Sequence, residues 1–172
     1  MKHPVYLIVA ADKNLGIGKD GKLPWHLKKE MQFFKKMTLE TQDPQKQNMV
    51  LMGRTTWESI PEKFRPLPGR INIVLTHQSD YNAPGADIFD SLDKALSSAD
   101  SNIEKIFIIG GAQVFKEALN NPHLTGIYLT KIDKTFDCDT FLPDLPKNFS
   151  EEVLDADSEA GITFKYFYYS KK

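Results

Sequence analysis

The strongest constraint on the fold is an alternation of short apolar runs with helix-like segments along most of the chain. Val5–Ala11 is short, rich in apolar residues and without polar alternation, which is typical of a strand buried on both faces. Three similar runs are also predicted as strands, at Asn48–Met52, Ile71–Thr76 and Lys105–Ile109. This order predicts an α/β protein with a mostly parallel sheet and helices on both faces.

Four segments are predicted as helices. Leu27–Thr38 has apolar residues at helical spacing. Thr55 and Glu58 have the spacing of a capping box, which predicts a helix start at Thr56. Two further helices, the first capped by Asp90 or Ser91, are predicted at Leu92–Ala99 and Ala112–Asn120.

The last third of the chain changes character. The segments "GIYLTKID" and "ITFKYFYYSK" are rich in aromatic and β-branched residues and predict strands with no helix between them. They are expected to complete one edge of the sheet in antiparallel fashion. Because the sequence contains no repeat, low-complexity segment or linker, residues 1–172 are expected to form a single domain.

Charge and cysteine content narrow the function classes. Lys and Arg total 22 against 23 Asp and Glu, so no global field favours nucleic acid or an anionic membrane. Cys138 is the single cysteine, which excludes an internal disulfide and suits a reducing compartment. The apolar run Val5–Ala11 is too short to span a membrane, and no signal-peptide pattern is present. We therefore expect a cytoplasmic protein without a metal centre, since metal-ligand spacings are also absent.

Glu30 is a charged residue on the apolar face of the predicted helix Leu27–Thr38. It follows Leu27 by three residues and precedes Phe34 by four, and Met31 is on the same stripe. Two interpretations stay open: a carboxylate at the edge of the stripe that reaches solvent, or a buried carboxylate facing a cleft. In the second case burial raises its pKa, unless a ligand such as a flat heterocycle donates two parallel N–H groups to it.

Several strand ends carry residues suited to anionic ligands. Gly110-Gly111 lies between a strand and a helix start, where backbone can approach a phosphate, although a plain tight turn also explains the pair. Gly53-Arg54 repeats this arrangement with a guanidinium, which is alternatively a solvated surface residue. Two such turns on neighbouring elements favour a dinucleotide, and Thr76 and His77 lie after the next strand.

Arg70 follows a rigid Pro-Gly turn that fixes its direction. It is predicted either to bind a ligand carboxylate in bidentate fashion or to be a surface residue leading into a strand.

Four motifs resemble, in order and spacing, those of the dihydrofolate reductase family. They are "VAADKNLGIGKDGKLPW", "MGRTTWESIPEKFRPLPGR", "IIGGAQVFKEAL" and "IYLTKID…DTFLPD", and the resemblance runs from Val5 to Pro143. It implies an eight-stranded, mostly parallel twisted sheet with an antiparallel C-terminal strand and about four flanking helices. It also implies NADPH-dependent reduction of 7,8-dihydrofolate to 5,6,7,8-tetrahydrofolate, with hydride added to C6 and a proton to N5.

The resemblance also implies roles in substrate binding and catalysis. Glu30 is implied as the acid that holds the pteridine, with a water near Trp25 and with Leu23 closing over the site. Arg70 is implied as the clamp on the glutamate α-carboxylate. The remaining implied substrate residues are Ile8, Phe34, Lys35, Ile60, Arg65, Leu67 and Thr130, the last supporting Glu30 through a hydrogen bond.

A second set of residues is implied for the cofactor. The loop with Gly16, Gly18 and Gly21 is suited to act as a lid. The Gly110-Gly111 pair is implied to have a cis peptide. The implied cofactor residues are Ala10, Gly16, Ile17, Gly18, Lys19, Asp20, Gly21, Lys22, Arg54, Thr55, Thr56, Thr76, His77, Ile109, Gly110, Gly111, Ala112, Gln113, Val114 and Phe115.

Two positions depart from the family pattern. Phe115 replaces a tyrosine found beside the nicotinamide in many bacterial members, and Gln113 replaces a residue that is basic in some relatives. Two rival functions remain: a riboflavin-pathway pyrimidine reductase, and a catalytically silent nucleotide-binding module. Glu30, Trp25 and Arg70 argue against both, and we expect a monomer that binds dihydrofolate and antifolates.

Overall fold

The computed structural model describes residues 3–172, which contain ten strands and four α-helices. The helices are α1 (Lys28–Leu39), α2 (Arg54–Ser59), α3 (Leu92–Ser97) and α4 (Ala112–Leu119). A 3₁₀ turn occupies Glu62–Phe64. The strands are β1 (Val5–Ala11), β2 (Gly16–Gly18), β3 (Gln47–Gly53), β4 (Ile71–Leu75), β5 (Ala86–Phe89), β6 (Ile103–Gly110), β7 (Leu124–Ile132), β8 (Thr140–Phe141), β9 (Phe149–Glu159) and β10 (Ile162–Lys171).

Eight of these strands form one sheet in the order β5-β4-β3-β6-β1-β7-β10-β9. All neighbouring pairs from β5 to β7 are parallel, whereas β10 is antiparallel to β7 and β9 is antiparallel to β10. The predicted fold class is therefore confirmed, including the antiparallel C-terminal edge and the four helices. The short strands β2 and β8 pair separately from the main sheet.

Helices cover both faces of the central strands. On one face the apolar residues of α3 and α4, such as Ala95, Phe115 and Ala118, pack against Leu7 and Ile108 of the sheet. On the other face Phe33 and Phe34 of α1 pack in a cluster around Ile8, Val50 and Phe107. The central strands β1, β3 and β6 are buried on both sides, which explains their nearly continuous apolar sequence.

Two predictions about α1 and α2 were wrong. Helix α2 begins at Arg54 rather than Thr56, and its N-cap is Gly53, which has no side chain to cap with. Glu58 does not complete a capping box, because its carboxylate accepts hydrogen bonds from Arg54 at 2.9 Å and from the Tyr81 hydroxyl at 2.9 Å. Met31, predicted on a buried helix face, is 51% exposed because that part of α1 faces a cleft.

Two strands of the main sheet were missed in the sequence. Strand β5 is four residues long and follows a turn-rich segment, so it has too few residues for a clear pattern. Strand β9 is an edge strand with five acidic residues in "FSEEVLDADSE", and most of its side chains are exposed. Charges on an edge discourage pairing with other chains, and they also remove the apolar pattern by which strands are predicted. Within residues 3–172, no helix is both long enough and apolar enough to cross a membrane.

Asn48 is a fully buried polar residue that joins three elements. Its amide group donates to the carbonyls of Thr38 and Glu40 at the end of α1, and its oxygen accepts from the Lys105 amide in β6. Asn48 therefore fixes where the chain leaves α1 and enters β3.

We expect Asn48→Ala to lower the free energy of unfolding by roughly 3 kcal/mol, because three backbone groups, all of them at least partly buried, lose their hydrogen-bond partner. Urea denaturation of the variant and wild type measures this difference. The exposed Asn82 is a matched control, and Asn82→Ala is expected to change stability by less than about 0.5 kcal/mol. Equal stabilities for Asn48→Ala and Asn82→Ala would contradict the assignment.

Candidate active site

A cleft of about 1680 Å³ lies at the carboxyl ends of the parallel strands. Residues from the ends of β1, β3, β4 and β6 line it together with the glycine loop and one side of α1, as Ala10, Gly53, Thr76, Gly110 and Leu23 illustrate. Ligand sites in open α/β sheets are found at this edge. The volume exceeds the 300–1,000 Å³ range typical of a single drug-sized ligand, so two adjacent ligands fit better than one.

Glu30 is a buried carboxylic acid in the wall of this cleft. It is 8% exposed, and its Oε1 accepts a hydrogen bond of 3.2 Å from the hydroxyl of Thr130 on β7. Burial raises the pKa of Glu30 to about 7, and the Thr130 hydrogen bond offsets only part of that effect. The open alternatives are thereby resolved: Glu30 is a buried carboxylate that faces a cleft.

Aromatic residues lie near Glu30: Phe33 is on the same helix, and Tyr166 is close enough for the Glu30 carboxylate to affect its pKa. Phe33 stacks on Tyr166 with ring centroids 4.0 Å apart, and Trp25 lies 7% exposed in the same cluster. Burial raises the pKa of the Tyr166 hydroxyl to about 12, and the nearby Glu30 carboxylate adds to the shift. Trp25 Nε1 is buried and has no hydrogen-bond partner among residues 3–172, so it is a donor left for a small polar molecule.

Arg70 is a buried cation that also lines the cleft. Its Nε donates to the Pro68 carbonyl at 3.0 Å, and its Nη1 donates to Thr38 Oγ1 at 2.9 Å. No hydrogen bond of Nη2 is formed within residues 3–172. Burial lowers the pKa of Arg70, yet a guanidinium stays protonated at neutral pH. Arg70 is therefore held by its neighbours as a fixed positive charge.

Asn72 holds the turn that directs Arg70. Its side chain accepts from the Leu67 amide and donates to the carbonyls of Leu67 and Arg70. These contacts join the proline-rich segment to β4, so the direction of Arg70 is set by the backbone before any ligand binds.

Two strand-to-helix turns meet on the opposite side of the cleft. The peptide bond between Gly110 and Gly111 is cis, as the family resemblance implied. A Cβ on Gly110 would lie 2.9 Å from Thr56 Oγ1, and one on Gly53 would lie 3.2 Å from a methyl group of Val114. The glycines therefore let the starts of α2 and α4 approach each other closely. Arg54 lies at this junction, where Glu58 neutralises part of its charge.

Most of the predicted site residues line the cleft. The structure brings together there Ile8, Ala10, Ile17, Gly18, Gly21, Lys22, Leu23, Glu30, Phe34, Lys35, Arg54, Thr55, Thr56, Ile60, Leu67, Arg70, Thr76, His77, Ile109, Gly110, Gly111, Ala112, Gln113, Val114 and Phe115. Their roles stay predictions, because position alone does not assign a ligand.

Six predicted site residues lie outside the lining. Trp25 and Thr130 are buried behind Glu30. Arg65 places its guanidinium 5.3 Å from the Trp57 ring and donates to the Trp57 carbonyl, so it supports the wall rather than faces the cleft. The other three belong to the glycine loop and are Gly16, Lys19 and Asp20.

Several lining residues were missed in the sequence, among them Lys63, Phe64 and Gln78. Phe64 is 56% exposed, but a single exposed aromatic residue is too common to have identified this wall of the cleft from the sequence. The apolar helix face with Met31 was predicted to be partly a ligand pocket, and Met31 does line the cleft, but its helical spacing is the same for a core face and for a cleft wall.

We expect the ligand-free Glu30→Gln variant to be more stable than wild type, by an amount that grows as pH rises. Between the ordinary pKa of 4.5 and the folded value of about 7, the folded state binds more protons than the unfolded chain, so wild-type stability falls with increasing pH. At about 1.4 kcal/mol per pKa unit, the advantage of Glu30→Gln grows to about 3 kcal/mol above pH 7 and is absent below pH 4.5.

Urea denaturation from pH 4 to pH 8 measures this difference. The control is Glu62→Gln, which makes the same substitution at a side chain that is 89% exposed to solvent. A constant difference between Glu30→Gln and wild type over the whole range would show that Glu30 has an ordinary pKa.

The sequence matches a family model described as dihydrofolate reductase over residues 4–171. It is 43% identical to the dihydrofolate reductase of Heliothis virescens, with 94% of this chain and 93% of that protein covered. It is also 43% identical to the dihydrofolate reductase of Drosophila melanogaster, with 93% of each chain covered. The solved structure of Schistosoma mansoni dihydrofolate reductase superposes with a TM-score of 0.86 at 38% identity and full coverage of both chains.

A bifunctional dihydrofolate reductase-thymidylate synthase of Arabidopsis thaliana is 49% identical over 80% of this chain. The chain spans about a quarter of the length of that plant relative, since 26% of it is covered. Fold, motif order and sequence identity along nearly the whole chain agree. The chain belongs to the dihydrofolate reductase family.

Proposed function

We propose that this protein reduces 7,8-dihydrofolate to 5,6,7,8-tetrahydrofolate with NADPH as cofactor. The observation that carries the proposal is a buried acid on α1 together with a buried cation, Arg70, that is held against the end of the same helix through Thr38. Glu30 and Thr38, the contact of Arg70, are eight residues apart on α1, or roughly 12 Å along its axis. A ligand with a hydrogen-bonding heterocycle at one end and a carboxylate at the other matches this separation, and dihydrofolate is such a ligand.

The Glu30 carboxylate suits the pterin ring. Ionised, it accepts two parallel N–H bonds from the amino group and the adjacent ring nitrogen, and hydrogen bonds to the charged form lower its pKa from the unliganded value of about 7. The negative charge then stabilises the positive charge that develops as N5 is protonated. In this proposal, the unpartnered Nε1 of Trp25 holds a water that relays this proton.

The opposite half of the cleft fits NADPH, which supplies the hydride when bound. Gly110 and Gly111 leave backbone free of side chains there, and α4 begins directly after them with unpaired backbone amides. Arg54 offers a cationic side chain for phosphate, His77 offers ring nitrogens, and Thr55, Thr56 and Thr76 offer hydroxyl groups. Ala10, Ile17 and Phe115 are the small or apolar residues proposed to contact the nicotinamide.

The test is the loss of NADPH absorbance when dihydrofolate is added to the purified protein. A diaminopyrimidine antifolate, which presents the same two N–H donors to Glu30, is expected to block the reaction. Reduction of a ribosylaminopyrimidine instead would identify the riboflavin-pathway alternative, and NADPH binding without turnover would identify the silent module. The single cysteine supports a cytoplasmic, reducing compartment, and a monomer stays our expectation.

We expect Glu30→Gln to slow the hydride step by roughly 10²-fold near neutral pH, which is the scale of one acid-base contribution. The difference in hydride rate between Glu30→Gln and wild type is expected to become smaller at lower pH, because bulk acid then protonates N5 without help from the carboxylate. Single-turnover measurements with preformed complexes isolate this step from product release. An unchanged rate at pH 7 would exclude Glu30 from the chemistry, and Glu62→Gln serves as the control.

We expect Arg70→Ala to weaken dihydrofolate binding about 10- to 100-fold, which corresponds to the loss of a charge-assisted hydrogen-bond pair. Binding of a small pteridine without a glutamate tail is expected to be unaffected. Lys63→Ala, a change of another lining cation, controls for the loss of positive charge near the cleft. Equal weakening of both ligands by Arg70→Ala would show that Arg70 is not the carboxylate clamp.

A further inference from the structure

Asp12 is a second buried acid, and the proposed reaction does not use it. It follows β1 directly, is 3% exposed and does not line the cleft. Its Oδ1 accepts hydrogen bonds from the amides of Asn14 at 2.9 Å and Gly16 at 2.8 Å. Its Oδ2 accepts from the amide of Phe136 at 2.8 Å and faces the Cys138 thiol at 3.7 Å.

The partners of Asp12 belong to two segments that are far apart in sequence. One is the glycine loop, residues 14–23, and the other is the distal segment, residues 133–142. The segments also meet through backbone hydrogen bonds, from Leu142 to the Leu15 carbonyl at 2.8 Å and from Asp139 to the Gly18 carbonyl at 2.9 Å. The Asp12 side chain also binds both segments at once, and unlike the exposed contact of Asp139 with the Asp20 amide at 3.0 Å, its contacts are buried or half-buried.

Close packing reinforces the contact between the two segments. The Cys138 side chain occupies the space that a Cβ on Gly16 would need, so a residue with a side chain at position 16 would push the segments apart. Glycine makes this approach possible, but three glycines also leave the loop with much conformational freedom. The hydrogen bonds to Asp12 restrict this freedom at the start of the loop, in addition to the backbone contacts with the distal segment.

A carboxylate is the side chain best suited to bind both segments, because both of its oxygens accept hydrogen bonds. Every partner named above is a donor, and an ionised carboxylate accepts at both oxygens. An asparagine would present an NH₂ group to one pair of these donors and lose that half of the contact. Burial raises the pKa of Asp12, but the amides of Phe136, Gly16 and Asn14 together lower it below its usual value, so the acid stays ionised at neutral pH.

The anchored loop forms part of the cleft. Ile17, Gly18, Gly21, Lys22 and Leu23 line it, on the side where the nicotinamide is proposed to bind. Small displacements of groups around a reacting centre reduce rates strongly, because the reacting atoms lose alignment. A change at Asp12 therefore reaches the chemistry through the loop, without any contact between Asp12 and a ligand.

We propose that Asp12 is a positioning residue, whose carboxylate fixes the glycine loop against the distal segment and thereby holds the loop residues over the cleft for the hydride step. The inference rests on the proposed function for its kinetic consequence. Its structural consequence, a loop held by Asp12, is independent of any reaction.

The test compares Asp12→Asn with wild type and with Asp133→Asn. Asp133 lies in the same distal segment, but its side chain is 67% exposed and pairs with Lys13 at 3.6 Å, so the control removes a carboxylate without removing the anchor. Three quantities are measured: amide hydrogen exchange in the ligand-free protein, the NADPH dissociation constant, and the single-turnover hydride rate.

In Asp12→Asn we expect exchange in residues 14–23 and 136–142 to accelerate about tenfold or more, while β3 and β6 stay as protected as in wild type. NADPH binding is expected to weaken and the hydride rate to fall roughly tenfold. Asp133→Asn is expected to match wild type in all three measurements.

Three results would overturn the proposal. Unchanged exchange in the glycine loop would show that Asp12 does not anchor it. Faster exchange throughout the sheet would show a general structural role. Local loosening with unchanged NADPH affinity and hydride rate would show that the anchor does not serve the site. A wild-type protein that oxidises no NADPH with dihydrofolate would instead contradict the proposed function, and exchange and NADPH binding would still test Asp12.

Discussion

Parallel pairing of the central strands is the constraint on which the candidate site depends. Strand β1 lies between β6 and β7, and its register places Ala10 beside Thr130, while β3 places Met52 beside Gly110. Parallel strands end at the same edge, so one edge of the sheet collects the turns and hydroxyl groups that face the cleft. Helix α1 then crosses this region and adds Glu30 above Thr130.

The burial that raises the pKa of Glu30 also lowers the stability of the folded protein when the acid is ionised. The buried carboxylate loses much of its solvation, and a single hydroxyl group does not replace it. The cost falls on the ligand-free protein and is relieved when a ligand donates hydrogen bonds to the charged form. In the proposed function, binding of the heterocycle is therefore coupled to the ionisation of the acid, so one side chain would serve both recognition and chemistry.

Elements with a local pattern were predicted well from the sequence. The buried strands β1, β3, β4 and β6 have apolar runs, and Ser91 caps α3 as expected, accepting from the Lys94 amide. Contacts between residues that are far apart in sequence were not predictable, because they can replace the contacts that a local pattern predicts. Glu58 has the spacing of a capping residue but binds Arg54 and Tyr81, and the tyrosine is 23 residues away. Asp12 and Phe136 are 124 residues apart, so no local pattern relates them.

Asp12 and Glu30 show how one functional group acquires two roles. Both carboxylates are nearly inaccessible, yet the pKa of Asp12 lies below its usual value and that of Glu30 is about 7. The difference lies in the donors: backbone amides surround Asp12, whereas the Thr130 hydroxyl alone bonds Glu30 within residues 3–172. A satisfied carboxylate is fixed in charge and position, which suits an anchor. A carboxylate with an open oxygen still has a hydrogen bond to form, and that capacity makes it fit for a ligand.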